Sequence, residues 1–100
     1  MPAYMVILAE INDPAAFRCY ALKAAKLITE FGGEYIVRGI GESECLEGDW
    51  PDTTRLVISK WPSMATARAF WHSEAYAEIK KLRQGNATVR VRLIEGIEDL

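Results

Sequence analysis

The sequence predicts an α+β domain, one four-stranded antiparallel sheet with helices on a single face. Three observations predict it. Segments of β-forming residues and segments of helical period follow one another in the order βαββ(αα)β. Turn-forming stretches separate them, among them Asn12-Asp13-Pro14, Gly32-Gly33, Pro62-Ser63 and Gly85-Asn86. The first β segment is apolar on both of its alternating faces, as a strand covered on both sides requires.

Residues 3–11 (AYMVILAEI) form that first strand, with Tyr4, Val6 and Leu8 on one face and Met5, Ile7 and Ile11 on the other. Asp13 is a good N-cap and Pro14 suits the first helical position. From Pro14 to Phe31 the period is helical, and Phe17, Tyr20, Ala21, Ala24, Leu27, Ile28 and Phe31 share one stripe. Leu22 lies off that stripe. Gly32-Gly33 ends the helix. The second strand, 34–40 (EYIVRGI), alternates Tyr35 and Val37 against Ile36 and Arg38. Residues 41–54 read as a Gly-, Asp- and Pro-marked excursion, with a short strand extension around Cys45-Leu46. Residues 55–61 (RLVISKW) form the third strand. Residues 62–85 hold two helical pieces capped by Ser63 and Ser73. Their apolar arcs are Met64, Ala67, Phe70 and Trp71, then Ala75, Tyr76, Ile79 and Leu82. Residues 87–97 form the last strand and 98–100 a tail.

This order is the split βαβ, ferredoxin-like arrangement. Its helices cover one sheet face, and its first and third strands are central. Because the first strand is apolar on both faces, the open face calls for a cover. The economical cover is a second copy of the same sheet in a two-fold homodimer.

Four stretches, GGEYIVRG, EGDW, WPSMATARAFWHSEAY and RLIEG, together resemble the domain-of-unknown-function family 1330 in order and spacing, over nearly the whole chain. The resemblance implies membership of the dimeric α/β-barrel superfamily, in which two ferredoxin-like sheets face each other around a barrel-like interior. It implies no single activity. Superfamily relatives include cofactor-free oxygenases, haem-degrading enzymes, lactone isomerases and stress proteins, so the fold does not choose the chemistry. The family pattern falls on Gly32, Gly33, Tyr35, Arg38, Gly39, Glu47, Gly48, Trp50, Pro62, Ser63, Ser73 and Tyr76. One departure is visible: the Ser-Pro-Glu-Tyr turn of the family reads Ser73-Glu74-Ala75-Tyr76 here. The helix-starting proline is lost while the capping serine stays, which implies a small local cost in stability and no change of role.

Composition narrows the function classes. One hundred residues make one domain, 1–100, of ordinary globular composition, 50% hydrophobic and 26% charged. A net charge of −2 argues against nucleic acid as the partner. Two cysteines and one histidine cannot build a four-ligand zinc site, so no metal and no cofactor is expected. The N-terminal stretch lacks the basic region of a secretory signal, and no apolar run reaches the length of a membrane span. The expectation is a cytoplasmic protein with reduced thiols at Cys19 and Cys45.

Arginines set in apolar patterns are the most suggestive residues for chemistry. Arg38 sits among Tyr35, Ile36, Val37 and Ile40, and a guanidinium cannot shed its charge. Buried, it needs Glu47, Asp49 or a ligand carboxylate; otherwise it is a strand-edge residue with its head in solvent. Arg83 falls inside the apolar arc of its helix, about 20° from Tyr76, as an anion contact or as a stem along the core edge. Glu47, Asp49, Trp50 and Arg55 can form a pocket rim, with Trp50 and Trp61 as flat apolar walls. Trp50 equally suits a dimer interface. His72 points about 130° from its helix's apolar arc and lies in the last turn, where positive charge is favourable. A break before Ser73 would instead aim it at the pocket, where it could act as a general base.

Three functions follow as expectations. The first is a pocket between sheet and helices that binds a small organic anion, anchored by Arg38 with Arg55 or Arg83 and shaped by Tyr20, Tyr35, Trp50 and Trp61. The second is a cofactor-independent oxygenase or isomerase on an acidic, enolisable substrate, with His72 or a tyrosine moving the proton. The third is a dimerisation module whose interior is filled by side chains.

Overall fold

The computed structural model describes residues 1–97; the tail 98–100 lies outside the described residues. Strands β1 (Ala3–Ile11), β2 (Glu34–Val37), β3 (Thr54–Trp61) and β4 (Ala87–Glu95) form one antiparallel sheet in the order β2-β3-β1-β4. Helix α1 (Pro14–Glu30) connects β1 to β2. Helices α2 (Met64–Trp71) and α3 (Glu74–Lys80), with a 3-10 turn over Lys81–Arg83, connect β3 to β4. This is the expected ferredoxin-like α+β fold.

The helix starts are those the capping residues dictate. The Ala16 amide donates to Asp13 Oδ1 at 3.2 Å, the Thr66 amide to Ser63 Oγ at 3.1 Å, and the Tyr76 amide to Ser73 Oγ at 3.1 Å. Ser73 thus caps α3 without the proline of the related turn. Helix α1 stops at Gly32, whose φ of 94° is open to glycine, and the Gly33 amide closes back on the Ile28 carbonyl at 2.9 Å.

Period two divides the sheet. Ala3 and Met5 stand opposite Trp61 and Ser59 on the helix-covered face, and all four are buried. Leu27 and Ile28 of α1, Ala67 and Phe70 of α2 and Tyr76 of α3 close over them. Phe70 is central, its ring 5.1 Å from Trp61 and 4.6 Å from Tyr76. Trp61 donates its indole N–H to Ser59 Oγ at 2.9 Å, so the buried polar pair is satisfied. A Cβ on Gly33 would stand 2.8 Å from the Trp61 ring, so glycine there admits the indole. On the opposite face Tyr4, Val6 and Leu8 align with Lys60, Ile58 and Leu56 of β3 and with Ile94, Arg92 and Arg90 of β4.

Five expectations are corrected. Strand β2 ends at Val37 instead of Ile40, and β4 at Glu95 instead of Ile97. Among the described residues no strand extends around Cys45-Leu46; there the Cys45 thiol faces the Glu47 and Gly48 carbonyls at 3.5 and 3.3 Å. Ala75 and Leu82 are exposed: α3 turns Tyr76 and Ile79 inward, and Leu82 falls past its end in the 3-10 turn. The alternation of β2 is also broken. Tyr35 pairs with Ser59 but Val37 pairs with Ile58, so the strand carries a bulge at Ile36.

Candidate functional site

The bulge decides what the sheet offers beneath α1. In a regular strand Tyr35 and Val37 would share a face and Arg38 would take the other. With one extra residue, Val37 instead joins Ile58 on the open face, and Arg38 follows Tyr35 onto the helix side. Its guanidinium carbon then lies 4.9 Å from the centre of the Tyr35 ring.

Arg38 and Tyr35 line a cleft of about 160 Å³ between α1 and the sheet. Its floor is Ile7 and Ala9 of β1, Val57 and Arg55 of β3 and Val89 of β4, all on one face by register. Its roof is Phe17, Tyr20 and Ala21 of α1, the beginning of that helix's apolar stripe, and Ile40 closes one side. The cleft exists because the core fills only the other end of the layer. Phe31, Phe70 and Trp61 pack there, while two of the lining residues here, Ala9 and Ala21, are small.

Arg55 is held by backbone. Gly39 has a φ of 72°, and a Cβ on it would fall onto Arg55 Cγ and within 2.7 Å of the Leu56 carbonyl oxygen. Glycine lets the chain after β2 lie directly on the Arg55 stem, which brings two guanidinium groups to one cleft. Among the described residues no carboxylate lines it, and neither arginine has an ion-pair partner.

The cleft's other titratable groups are phenols. Tyr20 and Tyr76 meet hydroxyl to hydroxyl at 2.8 Å. Burial first, and the neighbouring Tyr76 second, push the Tyr20 phenol far above the ordinary tyrosine range, against a weaker downward pull from Arg83. Burial also raises Tyr35, with Arg38 pulling the other way. Both phenols are therefore neutral hydrogen-bonding groups at physiological pH.

The structure brings together Arg38, Tyr20, Tyr35 and Arg55 of the residues expected from sequence, and separates the others. Trp61 is not a pocket wall; it is 1% exposed in the core under Gly33. Glu47 and Trp50 lie exposed in the excursion and do not line the cleft. Arg83 stands behind the roof instead of in the cleft, its guanidinium carbon 5.6 Å from the Tyr20 ring centre and its enclosed Nε without a partner. His72 is the exposed C-cap of α2, and the imidazole is not among the cleft's lining groups. The sequence reading missed Tyr76 as the partner of Tyr20, and the apolar floor of Ile7, Val57 and Val89. The signal was present in the alternation of β1, β3 and β4, which puts these residues on the helix-covered face.

Fold and site together define a ferredoxin-like α+β protein with a small two-arginine cleft between its first helix and its sheet. The chain belongs to the DUF1330 family, a domain of unknown function, whose pattern matches residues 2–97. Among solved structures it is similar to the RPA0582 protein of unknown function from Rhodopseudomonas palustris, with 19% identity, coverage of 98% of this chain and 84% of that one, and a TM-score of 0.77. It is also similar to SnoaB, a cofactor-independent oxygenase from Streptomyces nogalater, with 14% identity, coverage of 99% and 96%, and a TM-score of 0.72. The de novo designed protein Foldit4 shares the fold as well, with 16% identity, coverage of 97% and 100%, and a TM-score of 0.62. No curated protein matches the chain. An oxygenase and a designed protein on one fold underline that the site, and not the fold, must carry the functional argument.

Proposed function

We propose that this chain is a cytoplasmic homodimer that binds a small organic anion in the cleft between α1 and the sheet. The observation that carries the reading is the convergence of Arg38 and Arg55 on a cleft whose walls are otherwise apolar or neutral, with no carboxylate among the described residues. Both arginines are exposed, so water solvates their charges in the open cleft, and a small anion that enters it meets two permanently charged donors at the rim. The neutral Tyr35 phenol supplies a hydrogen bond for orientation, as polar groups in small-molecule sites commonly do, while the Tyr20 hydroxyl is taken by Tyr76. The open cleft favours binding over a purely structural role, which calls for a filled interior.

The competing reading, a cofactor-independent oxygenase or isomerase, needs a proton acceptor at the cleft. His72 lies outside the lining, and the raised Tyr20 and Tyr35 phenols are poor bases near neutrality. The likeness to SnoaB is one of fold.

A thermal-shift comparison of small carboxylates, phosphates, phenols and flavins tests the proposal. A carboxylate at 100 times its dissociation constant is expected to add about 2.7 kcal/mol of stability, seen as several degrees in melting temperature. Arg38→Ala should abolish the shift and His72→Ala should leave it intact. If carboxylates shift Arg38→Ala as much as the parent, the anion site is not here. If His72→Ala alone loses the shift, the enzyme reading takes its place.

A further inference from the structure

We infer that the ligand has an apolar body the size of one six-membered ring and a single anionic head. This rests on the anion-binding reading above and narrows it. The size comes from the cleft itself. Its volume of about 160 Å³ is close to the ~150 Å³ of an apolar protein cavity that takes up one benzene molecule. A fused second ring exceeds this volume: directed inward it would have to displace close-packed wall atoms of the sheet, and directed outward it would stand in solvent past Ile40, which is 76% exposed, and gain no burial.

The shape comes from the walls. Phe17 and Tyr20, three residues apart on α1, present rings 5.2 Å apart and tilted by 43°. Facing them across the cleft are the branched side chains of Ile7, Val57 and Val89 on three adjacent strands. An aromatic roof over a β-branched floor makes a slot for a flat or chair-shaped hydrocarbon ring.

The head's position follows from where the charges enter. Arg38 follows the last residue of β2 and Arg55 is the second residue of β3, so both cations reach the cleft from that corner of the sheet. The roof offers no second charged group: Tyr20 spends its hydroxyl on Tyr76, and Phe17 and Ala21 are apolar. One charged end and one dry end match a cyclic monocarboxylate. A dicarboxylate would bury its second charge unpaired against Phe17 and Val89, which is strongly unfavourable. A free phosphate or acetate would leave the slot empty.

The test is calorimetric titration of the full chain with benzoate, cyclohexanecarboxylate, 2-naphthoate, acetate, inorganic phosphate and benzyl alcohol. Benzoate and cyclohexanecarboxylate are expected to bind at least tenfold tighter than each of the other four. Ala21→Leu, which fills the roof of the slot, should weaken benzoate tenfold or more while acetate is unchanged. Acetate or 2-naphthoate binding as tightly as benzoate would overturn the one-ring inference and leave the anion reading standing. Benzyl alcohol equal to benzoate, or no binding by any of the anions, would overturn the anion reading and this inference with it.

Discussion

The hydroxyls of Tyr20 and Tyr76 make the cleft's roof part of the core, and that has a consequence at high pH. The unfolded chain loses the Tyr20 proton near pH 10.0, whereas the folded chain keeps it well beyond, because burial disfavours the phenolate. Between neutrality and pH 10 this group leaves stability unchanged. Above pH 10 the unfolded state binds fewer protons than the folded one, so stability falls as pH rises, by about 1.4 kcal/mol per unit for one fully linked phenol. Tyr35 is shifted in the same direction and adds to the slope. Tyr20→Phe should lose about 1–3 kcal/mol at pH 7, since the Tyr76 hydroxyl is left unpaired. Its stability curve should also be flatter than the parent's above pH 10. Urea unfolding from pH 8 to 11.5 measures both, and parallel curves for parent and variant would show that Tyr20 ionises equally in both states. At this scale the sequence was partly legible. Tyr20 and Tyr35 could be picked out as aromatic walls from helix and strand period. Their pairing partners could not, because Tyr20 and Tyr76 lie 56 positions apart and only the packed layer brings them together. Trp61 was misread for a similar reason, since a tryptophan ending a strand beside a turn suits a pocket wall or a core equally. The bare Gly33 above it decides for the core.

The helices and three of the strands were readable because each carried its own signal: Asp13-Pro14, Ser63 and Ser73 as starts, Gly32-Gly33 as a stop, period two in β1, β3 and β4. Strand β2 was the exception. A bulge inserts one residue without changing composition, and nothing in EYIVRGI marks Ile36 as the extra one. Reading the strand as regular put Arg38 on the same face as Ile36, away from Tyr35. The bulge reading has a sharp consequence. Deleting Ile36 should leave Tyr35 opposite Ser59, Val37 opposite Ile58 and Arg38 on the cleft side, now in a regular strand. The deletion variant is expected to fold, with a loss in melting temperature of a few degrees, and to keep the Tyr35–Arg38 ring contact. Substituting Ile36 instead leaves the count unchanged. An amide-to-amide NOE map of β2 and β3 checks the register directly. If Val37 moves opposite Val57 in the deletion variant, the extra residue lies elsewhere and Arg38 owes its place to something other than the bulge.

For the molecule as a whole, the face turned away from the helices is the one on which the proposed homodimer would form. Tyr4, Val6 and Leu8 run up its centre, with Leu56 and Ile58 beside them on β3. Val37 at 38% and Ile94 at 45% exposure extend the apolar band toward both edges. A sheet with this much apolar surface on both faces buries only one of them within a single chain. A contiguous apolar band on an exposed sheet face calls for a partner, and a second copy related by a two-fold axis meets the same band with itself. The charges around it suit such a pairing. Arg90 and Arg92 stand on β4 at one side, and the excursion after β2 is acidic at Glu42, Glu44, Glu47 and Asp49, so an antiparallel copy can meet basic edge with acidic loop. The expected species in solution is a homodimer, measured as twice the 11.2 kDa chain by light scattering on a sizing column. Ile58→Glu, in the middle of the band, should shift the population to monomer, because two carboxylates would be buried against each other across the axis. Lys26→Glu, on the solvent side of α1, controls for the added negative charge and should stay dimeric. The cleft lies on the other side of the sheet, so a folded Ile58→Glu monomer should still bind the carboxylate that the parent binds. A monomeric parent would remove the dimer while leaving the cleft's chemistry untouched, and a monomeric variant that no longer binds would mean that the second copy completes the site.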